Sequence, residues 1–274
     1  MAQKVWFITG SSRGFGHEWT EAALKRGDFV AATARNTASL TTLVKAYGDS
    51  VLPLQLDVTD READFAAIKQ AHERFGRLDI VVNNAGYGLF GPIENLSEEQ
   101  ARAQMETNFF GALWVTQAAL PYLREQKSGH ILQISSIGGI AAFPILGLYY
   151  TSKWALEGMS EALAQEVASF GIHVTLVEPG GFSTDWNGSS SVQVEPDPEY
   201  AFLLEARKTT RANLPPGDPT ATQQAILTLV DTPNPPLRLF LGSSPLAIAR
   251  PLYEQRLKTW EQWSEVSKAA QGNA

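Results

Sequence analysis

An α/β fold with a parallel sheet covered on both faces is predicted by three observations. Short apolar runs of strand length recur along the 274 residues and alternate with stretches of helical spacing. The first run leads straight into a glycine-rich turn that opens a helix. Polar and glycine-rich turns follow the later runs as well, at the carboxyl edge where open α/β sheets bind ligands. This alternation implies right-handed crossovers between parallel neighbours. The predicted strand order is 3-2-1-4-5-6-7, in a single doubly wound, Rossmann-type domain.

Lys4 to Ile8 is the first strand, followed by Thr9-Gly10-Ser11-Ser12-Arg13-Gly14-Phe15-Gly16 and a helical pattern to Lys25. Such a turn gathers backbone N–H groups at a helix start, where the helix dipole favours an anion. Glycines let a pyrophosphate approach the backbone closely. The spacing is GxxxGxG, not GxGxxG. Phe29 to Ala34 is the second strand, and it ends in Arg35-Asn36. An acid there would bind the ribose 2′-hydroxyl of NAD, whereas arginine accommodates the 2′-phosphate of NADP. Arg13 and Arg35, both able to grip a phosphate with a fork of donors, therefore favour NADP(H) over NAD(H).

A helix from Thr37 to Ala46 and a strand from Val51 to Leu56 come next. Asp57-Val58 follows, and Asp57 is placed either to meet an adenine amino group or to cap the helix that starts near Asp60 and runs to Phe75. Asp79 to Val82 is the fourth strand, delivering Asn83-Asn84-Ala85-Gly86 to the same edge. A long helix from Ser97 to Leu123 contains Asn108, a residue type that disturbs a helical hydrogen-bond ladder. His130 to Ile134 is strand five and delivers Ser135-Ser136. Ile172 to Val177 is strand six, ending in Glu178-Pro179-Gly180-Gly181-Phe182-Ser183-Thr184, and Leu237 to Leu241 is strand seven. Two segments break the rhythm. Asp185 to Pro198 is polar and Ser-rich, with a helical stretch to Ala212, and about 182–215 is expected to be a substrate lid. The tail, 243–274, is expected to pack on the 1–242 domain through Tyr253, Leu257 and Trp260, which share helical spacing.

The stretch Tyr149-Tyr150-Thr151-Ser152-Lys153 opens the helix read from Trp154 to Phe170. Residues four apart share a helix face, so Tyr149 and Lys153 can serve one bound molecule. A nearby fixed positive charge favours phenolate, lowering the tyrosine pKa and making the phenol a usable proton donor and acceptor. Spacing alone also admits Tyr150, since it too lies within one turn of Lys153. Phe90, Phe143, Leu146, Phe182 and Trp186 sit on loops at the strand ends and suggest an apolar substrate pocket.

The totals exclude other classes. A net charge of −7 argues against a nucleic-acid partner. There are no cysteines, and four scattered histidines are never spaced as a ligand pair, so no metal site is expected. No signal peptide or membrane span is visible, and a cytoplasmic protein is expected.

Taken together, these motifs resemble the short, single-domain form of the short-chain dehydrogenase/reductase family, from Lys4 to Gly242. Thr9-Gly10-x-x-x-Gly14-x-Gly16 matches its cofactor turn and Asn83-Asn84-Ala85-Gly86 its fourth-strand motif. Asn108, Ser136, Tyr149 and Lys153 match its catalytic set, and Pro179-Gly180 with Thr184 its nicotinamide-side motif. The resemblance selects Tyr149 over Tyr150 and Ser136 over Ser135. Phe15 stands where isoleucine is usual. It implies NADP(H)-dependent interconversion of a ketone or aldehyde with an alcohol. Tyr149 would be the proton donor, Ser136 a hydrogen-bond donor to the carbonyl and Lys153 the ribose ligand, while Asn108 would hold a water chain to Lys153. Cofactor contacts are expected from Gly10, Ser12, Arg13, Gly14, Phe15, Gly16, Arg35, Asp57, Val58, Asn84, Ala85, Gly86, Tyr149, Lys153, Pro179, Gly180, Phe182 and Thr184. A homodimer is also implied, through the helix opening at Tyr149 with Ala155, Met159 and Leu163 at the contact, a tetramer being the fuller form. Two other readings compete: an NADP-binding regulator without turnover, and a reductase of carrier-bound ketoacyl groups. The acids Asp185, Glu195, Asp197 and Glu199 on the lid disfavour an acidic carrier.

Overall fold

A computed structural model describes residues 3–188, 190–212 and 215–272. Parts of the expected lid (189, 213 and 214) and of the tail (273 and 274) thus lie outside the described residues. In chain order the first elements are β1 (Val5–Ile8), α1 (Gly14–Lys25), β2 (Phe29–Ala34), α2 (Thr41–Tyr47), β3 (Val51–Gln55) and α3 (Arg61–Phe75). Then come β4 (Ile80–Asn83), β5 (Leu89–Phe90), α4 (Glu98–Met105), α5 (Gly111–Gln126), β6 (Gly129–Ile134) and α6 (Gly147–Val167). The chain closes with β7 (Ile172–Pro179), β8 (Val192–Gln193), α7 (Ala201–Ala212), α8 (Thr222–Asp231), β9 (Arg238–Leu241), α9 (Pro245–Gln262) and α10 (Ser264–Ala269).

Seven strands form one parallel sheet in the order β3-β2-β1-β4-β6-β7-β9. This is the predicted order once the two-residue strands β5 and β8, which pair only with each other, are set aside. All four residues of β1 are buried. Val5 and Phe7 enter the core layer shared with α3, α5 and α6, while Trp6 and Ile8 enter the layer under α1, α2 and α8. Side chains alternate across a strand, so a strand covered on both faces is apolar throughout.

The single helix expected from Ser97 to Leu123 is two helices. Ser97 and Gln100 form a capping box at the start of α4, and a π-helical turn over Glu106–Phe110 separates α4 from α5. Asn108 sits inside that turn, the kind of interruption common at functional sites. The helix read from Trp154 begins earlier, at Gly147, and ends at Val167.

Two packing expectations fail. Tyr253, Leu257 and Trp260 are 43%, 54% and 65% exposed, because α9 rests on the body through Pro245 and Ala249 instead. Leu163 is already buried in the core of the single chain and is not available to a partner, whereas Ala155 and Met159 remain half-buried. Among the described residues no helix is long and apolar enough to cross a membrane.

One buried group works against the fold. Asp64 on α3 is fully buried, and neither carboxylate oxygen has a hydrogen-bond partner. Burial, reinforced by Asp60 and Asp57, pushes its carboxyl up to about 8. The native state thus keeps a proton that the unfolded state gives up above its ordinary carboxylate value of 3.8. Stability therefore falls as pH rises from that value towards about 8. Asp64→Asn should remove this slope, up to about 1.4 kcal/mol per pH unit. Urea unfolding at pH 5 and pH 8 checks it: the advantage of the Asn protein should widen at the higher pH, and an unchanged gap would contradict the assignment.

Candidate active site

The cavity is built at the carboxyl ends of the strands. Thr9 Oγ1 accepts hydrogen bonds from the backbone N–H groups of Asn84 and Ala85 (both 2.9 Å), and Asn84 Nδ2 donates back to the carbonyls of Thr9 (2.9 Å) and Gly10 (3.2 Å). These bonds tie the turn after β1 to the turn after β4. Asn84 lines the cavity, yet its side chain is spent on holding the glycine turn. Gly10 has φ +69° and Gly16 lies so close that a Cβ there would meet the Gly10 carbonyl oxygen at 2.3 Å. No larger residue fits without moving the turn. The start of α1 has no side-chain cap and no acid in its first turn. Its N–H groups therefore suit a diphosphate, and the residues present fit a dinucleotide cofactor.

A cavity of about 570 Å³ runs from this turn to the start of α6. Gly10, Ser12, Arg13, Gly14, Phe15, Arg35, Asp57, Val58, Ala85 and Gly86 line it. Ser136, Tyr149, Lys153, Pro179, Gly180, Phe182 and Thr184 line it as well. Of the expected cofactor contacts only Gly16 stands back from the wall, acting through the packing just described. Arg35 is exposed at the end of β2. Arg13 is drawn to the lid, with Nη1 2.6 Å from Asp185 Oδ2. Asp60, not Asp57, caps α3, and Asp57 instead accepts from Thr59 N (3.1 Å) and Thr59 Oγ1 (2.8 Å). Phe182 stacks edge-on to Phe15 (5.1 Å) and packs against Gly217, so its ring supports the wall.

At the far end, Ser136 and Tyr149 line the same wall, and Ser136 Oγ accepts from Gly138 N (3.0 Å). Ser135 Oγ lies on the other side, against Gly139 and near Glu157. The Tyr149 and Tyr150 rings pack 5.6 Å apart, and the Tyr150 ring also closes over Gly138, where a Cβ would meet it at 2.3 Å. Lys153 is buried and donates from Nζ to the Ile134 carbonyl (2.7 Å), with Nζ 5.8 Å from the Tyr149 ring centre. Burial lowers its ammonium to about 8, partly offset by the Glu157 charge. The Tyr149 phenol is pushed up, by burial above all, with Ser136 opposing. The depression expected from the lysine charge is not seen: burial sets the direction, because desolvation penalises phenolate and ammonium alike.

Asn108 is buried and braced. Its Oδ1 accepts from Tyr87 N (3.1 Å), and its Nδ2 donates to Tyr87 O (3.0 Å) and Ser152 Oγ (3.2 Å). These bonds tie the π turn to the turn after β4 and to α6.

Sequence reasoning missed how the lid docks. Trp186 lies 4.9 Å from the Tyr149 ring and 5.2 Å from Phe90. Val192 N donates to Gly88 O (2.9 Å) and Val194 N to Phe90 O (2.7 Å), stitching β8 to β5. Phe90, Leu146, Tyr149 and Tyr150 form one apolar cluster with Trp186, Leu203 and Leu204, while Phe143 is half exposed at its edge. A two-residue strand has no readable period, which is why β5 and β8 escaped notice.

A sequence model described as short chain dehydrogenase matches residues 4–195. The chain belongs to the short-chain dehydrogenase family. Like other short-chain dehydrogenases, it is an oxidoreductase with a seven-stranded parallel sheet. It is similar to oxidoreductase BOA17 of Botryotinia fuckeliana, at 44% identity over 97% of this chain and 99% of that one. A short-chain dehydrogenase from Streptomyces avermitilis has a similar structure, with a TM-score of 0.93, 39% identity and 98% of each chain covered. An alcohol dehydrogenase from Thermococcus sibiricus, complexed with 5-hydroxy-NADP, superposes with a TM-score of 0.74 at 28% identity, covering 88% of this chain and 96% of that one.

Proposed function

We propose that this short-chain dehydrogenase interconverts a ketone or aldehyde with an alcohol, using NADP(H) in preference to NAD(H). The observation that carries the reading is one cavity lined by Arg13 and Arg35 and by Ser136, Tyr149 and Lys153. The glycine turn and the start of α1 would hold the diphosphate, and Arg13 and Arg35 the 2′-phosphate. When bound, the cofactor supplies the hydride to the carbonyl carbon. Tyr149 gives its phenolic proton to the carbonyl oxygen as charge develops there, and takes it back in alcohol oxidation. Ser136 donates a hydrogen bond to the same oxygen. Lys153 supplies positive charge beneath the phenol and holds the nicotinamide ribose. Asn108 keeps the π turn and α6 in register around them. The apolar cluster of Phe90, Leu146, Tyr150 and Trp186 suits an apolar substrate.

Tyr149→Phe should keep fold and cofactor binding and lose about 10²–10⁴-fold in turnover. Tyr150→Phe should retain most activity, because Tyr149, and not Tyr150, is the tyrosine assigned to the carbonyl oxygen. Lys153→Ala should lower turnover and weaken NADPH binding together. Turnover of one good ketone, with NADPH affinity measured separately by fluorescence, decides among them; a near-fully active Tyr149→Phe would end the tyrosine mechanism.

NADPH should bind more tightly than NADH, and Arg35→Asp should flatten or invert that preference. Titration of the two cofactors against both proteins reads this directly, and equal affinities in the unaltered protein would overturn it. Assembly through the exposed side of α6, with Ala155 and Met159 at the contact, should give a homodimer. Light scattering at micromolar concentration checks it, and a monomer mass would exclude it.

A further inference from the structure

The lid is tied to the body at several points, and one of them is a residue assigned above to the cofactor. Asp185 opens a short 3₁₀ turn, Asp185–Asn187, that carries Trp186. The turn is held by Gly188 N donating to the Asp185 carbonyl (2.9 Å), and the Asp185 side chain packs on Gly188, where a Cβ would stand 2.8 Å from Oδ1. Asp185 Oδ2 reaches Arg13 Nη1 at 2.6 Å. The next residue, Trp186, covers the Tyr149 ring and leaves no room for a side chain at Gly88, where a Cβ would meet Trp186 at 2.7 Å. Asp185, Trp186, Arg13 and Tyr149 all line the same cavity. With this lid, Trp186 stands beside the phenol where a substrate carbonyl has to come.

We propose that the cofactor's 2′-phosphate opens the lid by taking Arg13 from Asp185, which draws the Asp185–Asn187 turn and Trp186 away from Tyr149. This rests on the NADP(H) reading above and assigns a regulation to that site. The Arg13 and Asp185 side chains are 46% and 40% exposed, and exposed single-carboxylate pairs are weak. A phosphate monoester carries nearly two negative charges and three acceptor oxygens, so it outcompetes a carboxylate for a guanidinium. Once bound, it also repels Asp185. Because Asp185 and Trp186 are adjacent in one tight turn, displacement of the carboxylate displaces the indole. The lid would then yield only to a cofactor bearing the 2′-phosphate, and carbonyl access would follow cofactor loading.

The probe is adenosine 2′,5′-bisphosphate, with 5′-AMP as control, since the two differ only in the 2′-phosphate and neither reaches Tyr149. Hydrogen exchange of the Val192 and Val194 amides, which bond β8 to β5, and of the turn at 185–188 reports lid opening. At matched saturation the bisphosphate should speed exchange there, and 5′-AMP should not. Asp185→Asn should exchange fast with no ligand present. It should also bind the bisphosphate severalfold more tightly than the unaltered protein does, with 5′-AMP affinity unchanged. A thermal melt confirms that the variant is folded. If the bisphosphate binds tightly but exchange stays the same, the coupling is wrong while the NADP(H) reading stands. If it binds no better than 5′-AMP, both fall. An Asp185→Asn protein with an unaltered affinity ratio also overturns the proposal.

Discussion

Lys153 is a buried side chain on the wall of the cavity, and its hydrogen bond to the Ile134 carbonyl ties α6 to the end of β6. An unpaired charge there would be expensive, so the side chain must lie where β6 ends and exposes that carbonyl to it. The bond fixes α6 against β6. It thereby sets Tyr149, one turn earlier, beside Ser136, which leaves the same strand end. The bracing of Asn108 follows from the same placement, since Ser152 comes to rest against the π turn. Removing the anchor would free three elements at once.

Desolvation sets the tone of the chemistry. The same burial that lowers Lys153 to about 8 raises the Tyr149 phenol. Burial thus shifts both groups toward their neutral forms. The carboxyls behind the site obey the same rule. Glu178 and Glu157 are buried together beside Arg238, and burial raises both. Glu157 also props up the lysine charge from one turn further along α6. Neither carboxyl was singled out as part of the site in the sequence, because a lone Glu in a helix or at a strand end carries no local signal of burial.

The segment that follows β7 is held to the frame by a different kind of contact. The walls are strand ends and helix starts, held by backbone hydrogen bonds. Among the contacts of the 182–212 segment are an exposed ion pair, a pair of two-residue strands, an indole on a phenol and the bonds of Asp197 to Asn95 and Tyr200 to Glu94. These are weak contacts with few buried backbone bonds, which places the lid at the low-stability end of the molecule. Frame and cover meet at Arg13, so the glycine turn and the segment carrying Trp186 are in contact through a side chain and not only through a shared cavity.

The order and direction of the seven strands, the glycine turn, the serine pair and the YxxxK face were legible from residue pattern alone. Each depends on local rules: strand-length apolar runs, the glycine needed for close approach, the helical rise that stacks residues four apart. Tertiary structure decided what local rules cannot. It put Ser136 and not Ser135 toward the phenol, turned Tyr150 onto Gly138, and spent Asn84 and Asn108 on bracing. It left Tyr253, Leu257 and Trp260 on the surface although their spacing announces a packed face. It also paired Arg13 with a residue 172 positions away in the chain. Helical spacing states which residues share a face but not what that face meets, and burial, with the pKa shifts it brings, exists only once distant segments have closed over a group.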